Sequence, residues 1–214
     1  VGHRAVIFDL GGVVFPSPFD VFSAYEADRG LPEGFLRRVV AAGGDHGSWA
    51  RLERGELRLD EFHAAFAAEC EAAGAQVNAA ELMAGITRRF APRPEMVAAL
   101  RTIRSRDLRT AALTNNWLPP AGGGPADRRA GDLDALGLFD VVVESAREGL
   151  RKPDPAIYRL TCDRLGVAPA EAVFLDDLGV NLKPARALGM TTIKVTDPHA
   201  ALDELAAVLG FPLT

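Results

Sequence analysis

Cysteine is nearly absent: 214 residues contain two, Cys70 and Cys162. They lie far apart and outside any Cys-x-x-Cys spacing. That leaves no framework for a disulfide or a zinc site, and we read two reduced, partly buried thiols of a cytosolic protein. No stretch reaches the ~20 consecutive apolar residues of a transmembrane helix. Positive charge is not in excess: 24 Lys and Arg stand against 29 Asp and Glu, a net charge of −5. Without a dense basic stripe, nucleic acid is excluded as a partner. An anionic substrate has to be held by a few local cations or a metal, because the global field does not attract it. Val1-Gly2-His3-Arg4 leads straight into the first apolar run, so no signal peptide is expected and a cytoplasmic location is. Internal repeats are missing, and the single low-complexity patch, Pro119–Pro125, reads as a flexible loop.

What is present is a globular balance, 48% hydrophobic and 25% charged, with length for a full core and a second small domain. Five short apolar runs read as strands: Ala5–Asp9, Thr110–Thr114, Phe139–Val143, Ala172–Asp176 and Thr191–Val195. They are β-rich or continuously apolar, as strands buried on both faces should be. Helical patterns at Met96–Arg106, Asp127–Leu136, Pro155–Leu165 and Leu182–Leu188 alternate with the later strands. This predicts an α/β fold, a doubly wound parallel sheet. Between the first two strands, residues 19–91 carry helical patterns and no strand, far more chain than a crossover needs. We expect an inserted helical subdomain there, with helices at Glu61–Ala73 and Ala79–Phe90, and a core domain made of residues 1–18 and 92–214. Phe62, Phe66 and Cys70 recur at spacing four as its core-facing stripe.

Polar residues stand in register with the strand ends. Asp9 closes the first strand and Thr114-Asn115-Asn116 the second. Lys152 follows the third, and Asp176-Asp177 closes the fourth. In an open α/β sheet these converge in the crevice beyond the carboxyl edge. Acids, a hydroxyl, an amide and a lysine gathered there make a site for a metal and an anionic group. Asp154-Pro155 reads as a helix start, cap then first-turn proline, which puts Lys152 on a short defined loop.

The pattern resembles the haloacid dehalogenase-like (HAD) hydrolase superfamily over the whole chain. The closer likeness is to the amino-terminal phosphatase domain of soluble epoxide hydrolase, and HAD domains fused to acyl-CoA dehydrogenases look similar. Leu113–Trp117, Gly149–Pro155 and Phe174–Ala185 carry that likeness. The resemblance implies a Rossmann-like core with a helical cap and a Mg²⁺-dependent phosphatase of a small organic phosphomonoester. It makes Asp9 the nucleophile, with Thr114, Asn115 and Lys152 on the phosphoryl group. Mg²⁺ would be held by Asp9, the backbone carbonyl of Gly11 and Asp177. Asp176 would orient the lysine or a metal-bound water, and Asn181 takes the position of an auxiliary polar residue.

One departure stands out. Phosphatases of the superfamily usually carry an acid two residues after the nucleophile, to protonate the leaving alcohol and then activate water, and here that position is Gly11. Two alternatives follow: a metal-independent 2-haloacid dehalogenase, or a weakly catalytic domain that binds a phosphorylated ligand or a protein. Arg147 and Arg151 read as solvated charges. Trp49, Arg51, Glu53 and Arg54 are candidates to shape the pocket, with a structural role favoured for each, and Trp117 reads as packing. His3, His46, His63 and His199 match no ligand spacing.

Overall fold

The computed structural model describes residues 2–88, 91–118 and 136–213. The expected helix over Asp127–Leu136, all but its last residue, and the Pro119–Pro125 loop lie outside them.

Five strands form one parallel sheet: β1 (Ala5–Phe8), β2 (Arg109–Thr114), β3 (Val141–Glu144), β4 (Ala172–Asp176) and β5 (Thr191–Lys194), in the order β3-β2-β1-β4-β5. The doubly wound sheet is as expected, with small shifts at its ends. The β1 ladder stops at Phe8, opposite Leu175, so Asp9 stands just beyond the strand. Its amide still reaches the Leu175 carbonyl at 2.9 Å, which sets Asp9 alongside Asp176 on the neighbouring strand. β3 begins at Val141 rather than Phe139; at Asp140 the amide turns to the Thr110 carbonyl and the carboxylate to the Thr110 amide.

The apolar runs are continuous because both sheet faces are covered. Val6, Phe8, Val173 and Leu175 point to one face and pack with α6 (Pro94–Arg104) and α10 (Pro198–Leu209). Ala5, Ile7, Leu113 and Phe174 point to the other and meet α8 (Pro155–Leu165) and α9 (Gly179–Ala187). A short α7 (Ser145–Glu148) follows β3. Asp154 caps α8 by accepting from the Ala156 amide at 2.8 Å, with Pro155 in the first turn, as the sequence implies. Cys70 and Cys162 are buried and free.

Between β1 and α6 run α1 (Pro18–Arg29), α2 (Phe35–Gly43), α3 (Ser48–Glu53), α4 (Leu59–Ala72) and α5 (Ala79–Arg88). They enclose a hydrophobic cluster of their own, including Phe22, Leu36, Trp49, Phe62, Phe66, Cys70 and Leu82. The stripe of spacing four lies inside it, and Phe62 and Phe66 stack at 5.2 Å. Trp117 packs against this cluster, 6.3 Å from Trp49 between ring centroids.

Candidate active site

The sheet brings Asp9, Asp176 and Lys152 together in its interior edge. The Lys152 ammonium lies 2.8 Å from Asp9 Oδ1 and 2.7 Å from Asp176 Oδ2. Lys152 is 1% exposed and Asp176 fully buried, so this is an ion-pair triad out of water. Burial works against the Lys152 charge, but Asp176 and Asp9 outweigh it and hold its pKa above the ordinary value. Burial, chiefly, pushes the Asp9 carboxyl well up, with Lys152 opposing it.

Asp177 completes the acid cluster. One carboxylate oxygen each from Asp9, Asp176 and Asp177 lies within 4.8 Å of the others, the only such grouping among the described residues. Burial and then the Asp176 charge raise the Asp177 carboxyl to about 6. When all three carboxylates are ionised they face one ammonium, and two negative charges then stand uncompensated. Hard oxygen donors in that charge state fit a divalent cation such as Mg²⁺.

The remaining expected residues divide in their surroundings. Asp176 is saturated: Oδ1 accepts from the Leu178 amide at 2.8 Å, and Asn181 Nδ2 reaches both oxygens at 3.0 Å. Thr114 ends β2, buried, with its hydroxyl 3.4 Å from the Asn115 carbonyl, a long and weak contact. Asn115 does more than end a strand. Its side chain accepts from the Lys152 amide at 2.8 Å and donates to the Lys152 carbonyl at 3.0 Å, clamping that loop to β2. Gly11 sits in the turn after Asp9, bridged to Phe15.

Arg151 was misjudged and Ser145 missed from sequence, while Glu53, named there as a candidate with a structural role favoured, has partners the sequence did not show. Arg151 is not a solvated charge: its guanidinium is 2.8 Å from Glu53 and 3.3 Å from Asp45. Glu53 is buried between α3 and the sheet edge, and burial raises its carboxyl against the pull of Arg151. Ser145 Oγ accepts from the Asn116 amide at 2.9 Å and donates to the Glu53 carbonyl. Only the Trp49–Glu53 spacing of four hinted at any of this; the indole donates to Glu53 Oε1 at 3.0 Å. Arg147 fits its reading as an exposed charge, paired with Glu144. A cavity of about 480 Å³ opens beside Arg54, Arg151 and Pro153, and neither Asp9, Lys152 nor Asp177 lines it.

Fold and site together define an α/β protein of Rossmann-like topology with an acid-and-lysine centre at the carboxyl edge of its sheet. The chain matches the haloacid dehalogenase-like hydrolases over residues 3–189 and belongs to that family. It is 43% identical over 219 residues to acyl-CoA dehydrogenase family member 10 of Mus musculus, covering 99% of this chain and 20% of that one. It is 36% identical over 220 residues to bifunctional epoxide hydrolase 2 of Sus scrofa, covering 98% and 39%. The chain thus spans only a minor part of these relatives. Proteins named as phosphatases, of a sesquiterpene and of phosphoserine, stand among the more distant relatives. A HAD family enzyme of Bacteroides thetaiotaomicron, solved in complex with magnesium and inorganic phosphate, shares the fold. Its TM-score is 0.63 at 20% identity, over 90% of this chain and 94% of that one.

Proposed function

We propose that this hydrolase is a Mg²⁺-dependent phosphatase of a small organic phosphomonoester, working through an aspartyl-phosphate at Asp9. The observation that carries this reading is the Lys152 ammonium held 2.8 Å from Asp9 and 2.7 Å from Asp176, beside the third carboxylate of Asp177. That centre would bind a dianion through the Lys152 ammonium and a metal held by the acids, with Asp9 as the nucleophile.

Asp9 Oδ1 is engaged by Lys152 and, at 2.7 Å, by the Leu10 amide. Attack on phosphorus therefore falls to Oδ2. The new bond joins Asp9 to phosphorus, and the bond from phosphorus to the alcohol oxygen breaks with its electron pair. Water then attacks phosphorus and releases inorganic phosphate and the free carboxylate. Lys152, protonated throughout, offsets charge on the phosphoryl oxygens. The Thr114 hydroxyl exchanges its weak contact with the Asn115 carbonyl for a phosphoryl oxygen. Asp9, the Gly11 carbonyl and Asp177 would hold Mg²⁺, which when bound screens the negative charge between nucleophile and phosphate. Gly11 offers no proton, so the leaving alcohol draws on solvent, and acidic alcohols leave best.

We read residues 19–91 as a cap over residues 1–18 and 92–214, and we keep the cytoplasmic placement on the strength of two free thiols. A metal-free carbon displacement would have no use for Asp177, which favours phosphate over halide. The test is release of inorganic phosphate from p-nitrophenyl phosphate, with and without Mg²⁺. Turnover that needs Mg²⁺ supports the reading. Chloride release from 2-haloacids without metal, and no phosphate release, contradicts it.

A further inference from the structure

We propose that Glu53 is a positioning residue of the phosphate site, holding the Asn115–Lys152 clamp from the helical insert. This rests on the phosphate reading of the centre. Glu53 is the last residue of α3 and only 7% exposed. A buried carboxylate is costly unless its oxygens are used, and an apolar side chain would fill such a site at less cost. Here both oxygens are used. Oε1 takes the Trp49 indole at 3.0 Å, inside the insert. Oε2 takes Asn115 Nδ2 at 3.2 Å and Arg151 Nε at 2.8 Å, both on the sheet side.

Asn115 Nδ2 is the same atom that donates to the Lys152 carbonyl, while Asn115 Oδ1 receives the Lys152 amide. Glu53 thus fixes the orientation of the amide that fixes the backbone of Lys152. The Lys152 side chain in turn fixes Asp9. Arg151, next in sequence to Lys152, is gripped by the same carboxylate oxygen. The backbone of Glu53 is tied as well: Ser145 Oγ donates to its carbonyl while receiving the Asn116 amide. At Gly55, with φ 70°, a Cβ would overlap the Ala146 carbonyl, so the insert meets the sheet edge at backbone contact. The segments after β2 and before α8 therefore meet the Glu53 side chain, and the segment after β3 meets its backbone. Misplacing a charged group by about 1 Å costs up to about 10²-fold in rate, and this junction sets where Lys152 stands.

The test compares wild type, E53A, E53Q and R151M. Inorganic phosphate is titrated calorimetrically in Mg²⁺, KM and kcat are measured on p-nitrophenyl phosphate, and thermal melting checks folding. E53A is expected to raise the phosphate Kd and KM about tenfold or more. E53Q, which keeps an oxygen for Asn115 and Arg151, is expected to recover part of that loss. If E53A does not fold, E53Q and R151M carry the test, each with a several-fold weaker phosphate Kd. Folded variants with the wild-type Kd and KM, and only a lower melting temperature, overturn the proposal. So does E53Q as deficient as E53A, which would make the negative charge, not the orientation, the working feature. A wild type that binds phosphate but releases none from the ester defeats the phosphatase reading and leaves this proposal to stand or fall on the Kd values. A wild type that binds no phosphate overturns both.

Discussion

The carboxylate of Asp177 fills the space that a side chain on Gly12 would need. Gly12 has φ 85°, and a Cβ built there would overlap Asp177 Oδ2 and Cγ. The turn after Asp9 therefore comes within contact of the acid after β4 only because residue 12 is glycine. Gly12→Ala is expected to cost about 1 kcal/mol or more from the left-handed backbone alone, and to displace Asp177. The rise in melting temperature caused by Mg²⁺ should shrink strongly in this variant. A wild-type response to Mg²⁺ would remove Asp177 from the metal site.

Gly11 differs from its neighbour. Its φ is not in the left-handed region, and a Cβ there would meet Pro18 Cδ at 3.3 Å, a contact that a few tenths of an ångström relieves. The backbone there does not itself demand glycine, so Gly11→Asp is the variant to make. With a proton donor restored, turnover of alkyl phosphates should rise by about 10²-fold, and that of p-nitrophenyl phosphate, whose alcohol leaves unaided, much less. An equal effect on both, or none on either, would show that proton donation is not what the site lacks.

Lys152 is the ammonium between Asp9 and Asp176, and removing one partner from a buried pair leaves charge without compensation. Lys152→Met should destabilise the metal-free protein by about 3–5 kcal/mol and abolish turnover. Mg²⁺, which supplies positive charge to the same carboxylates, should restore part of the stability. Urea unfolding with and without Mg²⁺ measures this. Equal destabilisation in both conditions contradicts a shared site.

The Asp177 carboxyl, ordinarily near 3.8, stands at about 6 because it is buried and then because Asp176 is close. Between about pH 4 and pH 6 the folded protein keeps a proton that the unfolded chain has released. Its stabilising contribution is full below about pH 4 and is lost as pH rises through about 6. Asp9 is raised too, chiefly by burial, and acts in the same direction. Mg²⁺ needs the ionised acids, so its stabilisation should be small near pH 5 and larger near pH 7.5. Thermal melts across that range check it; a response to Mg²⁺ that does not vary with pH would contradict the assignment.

Much of this centre was legible from local sequence. Apolar runs buried on both faces predict parallel strands, and whatever follows such a run stands at the carboxyl edge. Asp9, Thr114 and Asp176-Asp177 needed no more than that, and Lys152 needed also the helix start at Asp154-Pro155. The junction beneath them was not legible. Glu53 and Arg151 are 98 residues apart and meet because α3 lies on the Lys152 loop, a packing outcome that no local pattern carries. Arg151 and Lys152 are adjacent, yet one faces Glu53 and the other Asp9. Asn115 was read as a phosphoryl contact, and its side-chain clamp on Lys152 depends on the same three-dimensional register. The strand ends shifted for a similar reason: Asp140 spends its hydrogen bonds on Thr110 before β3 begins.

The central claim is a covalent bond between Asp9 and phosphorus. The most direct measurement is acid quenching of the protein during turnover of a radiolabelled phosphate ester in Mg²⁺, followed by peptide mapping. The account predicts label on the peptide that contains Asp9, released by base as an acyl phosphate is, and absent from Asp9→Asn. Steady turnover with no label on that peptide, or turnover by Asp9→Asn at the wild-type rate, would contradict it.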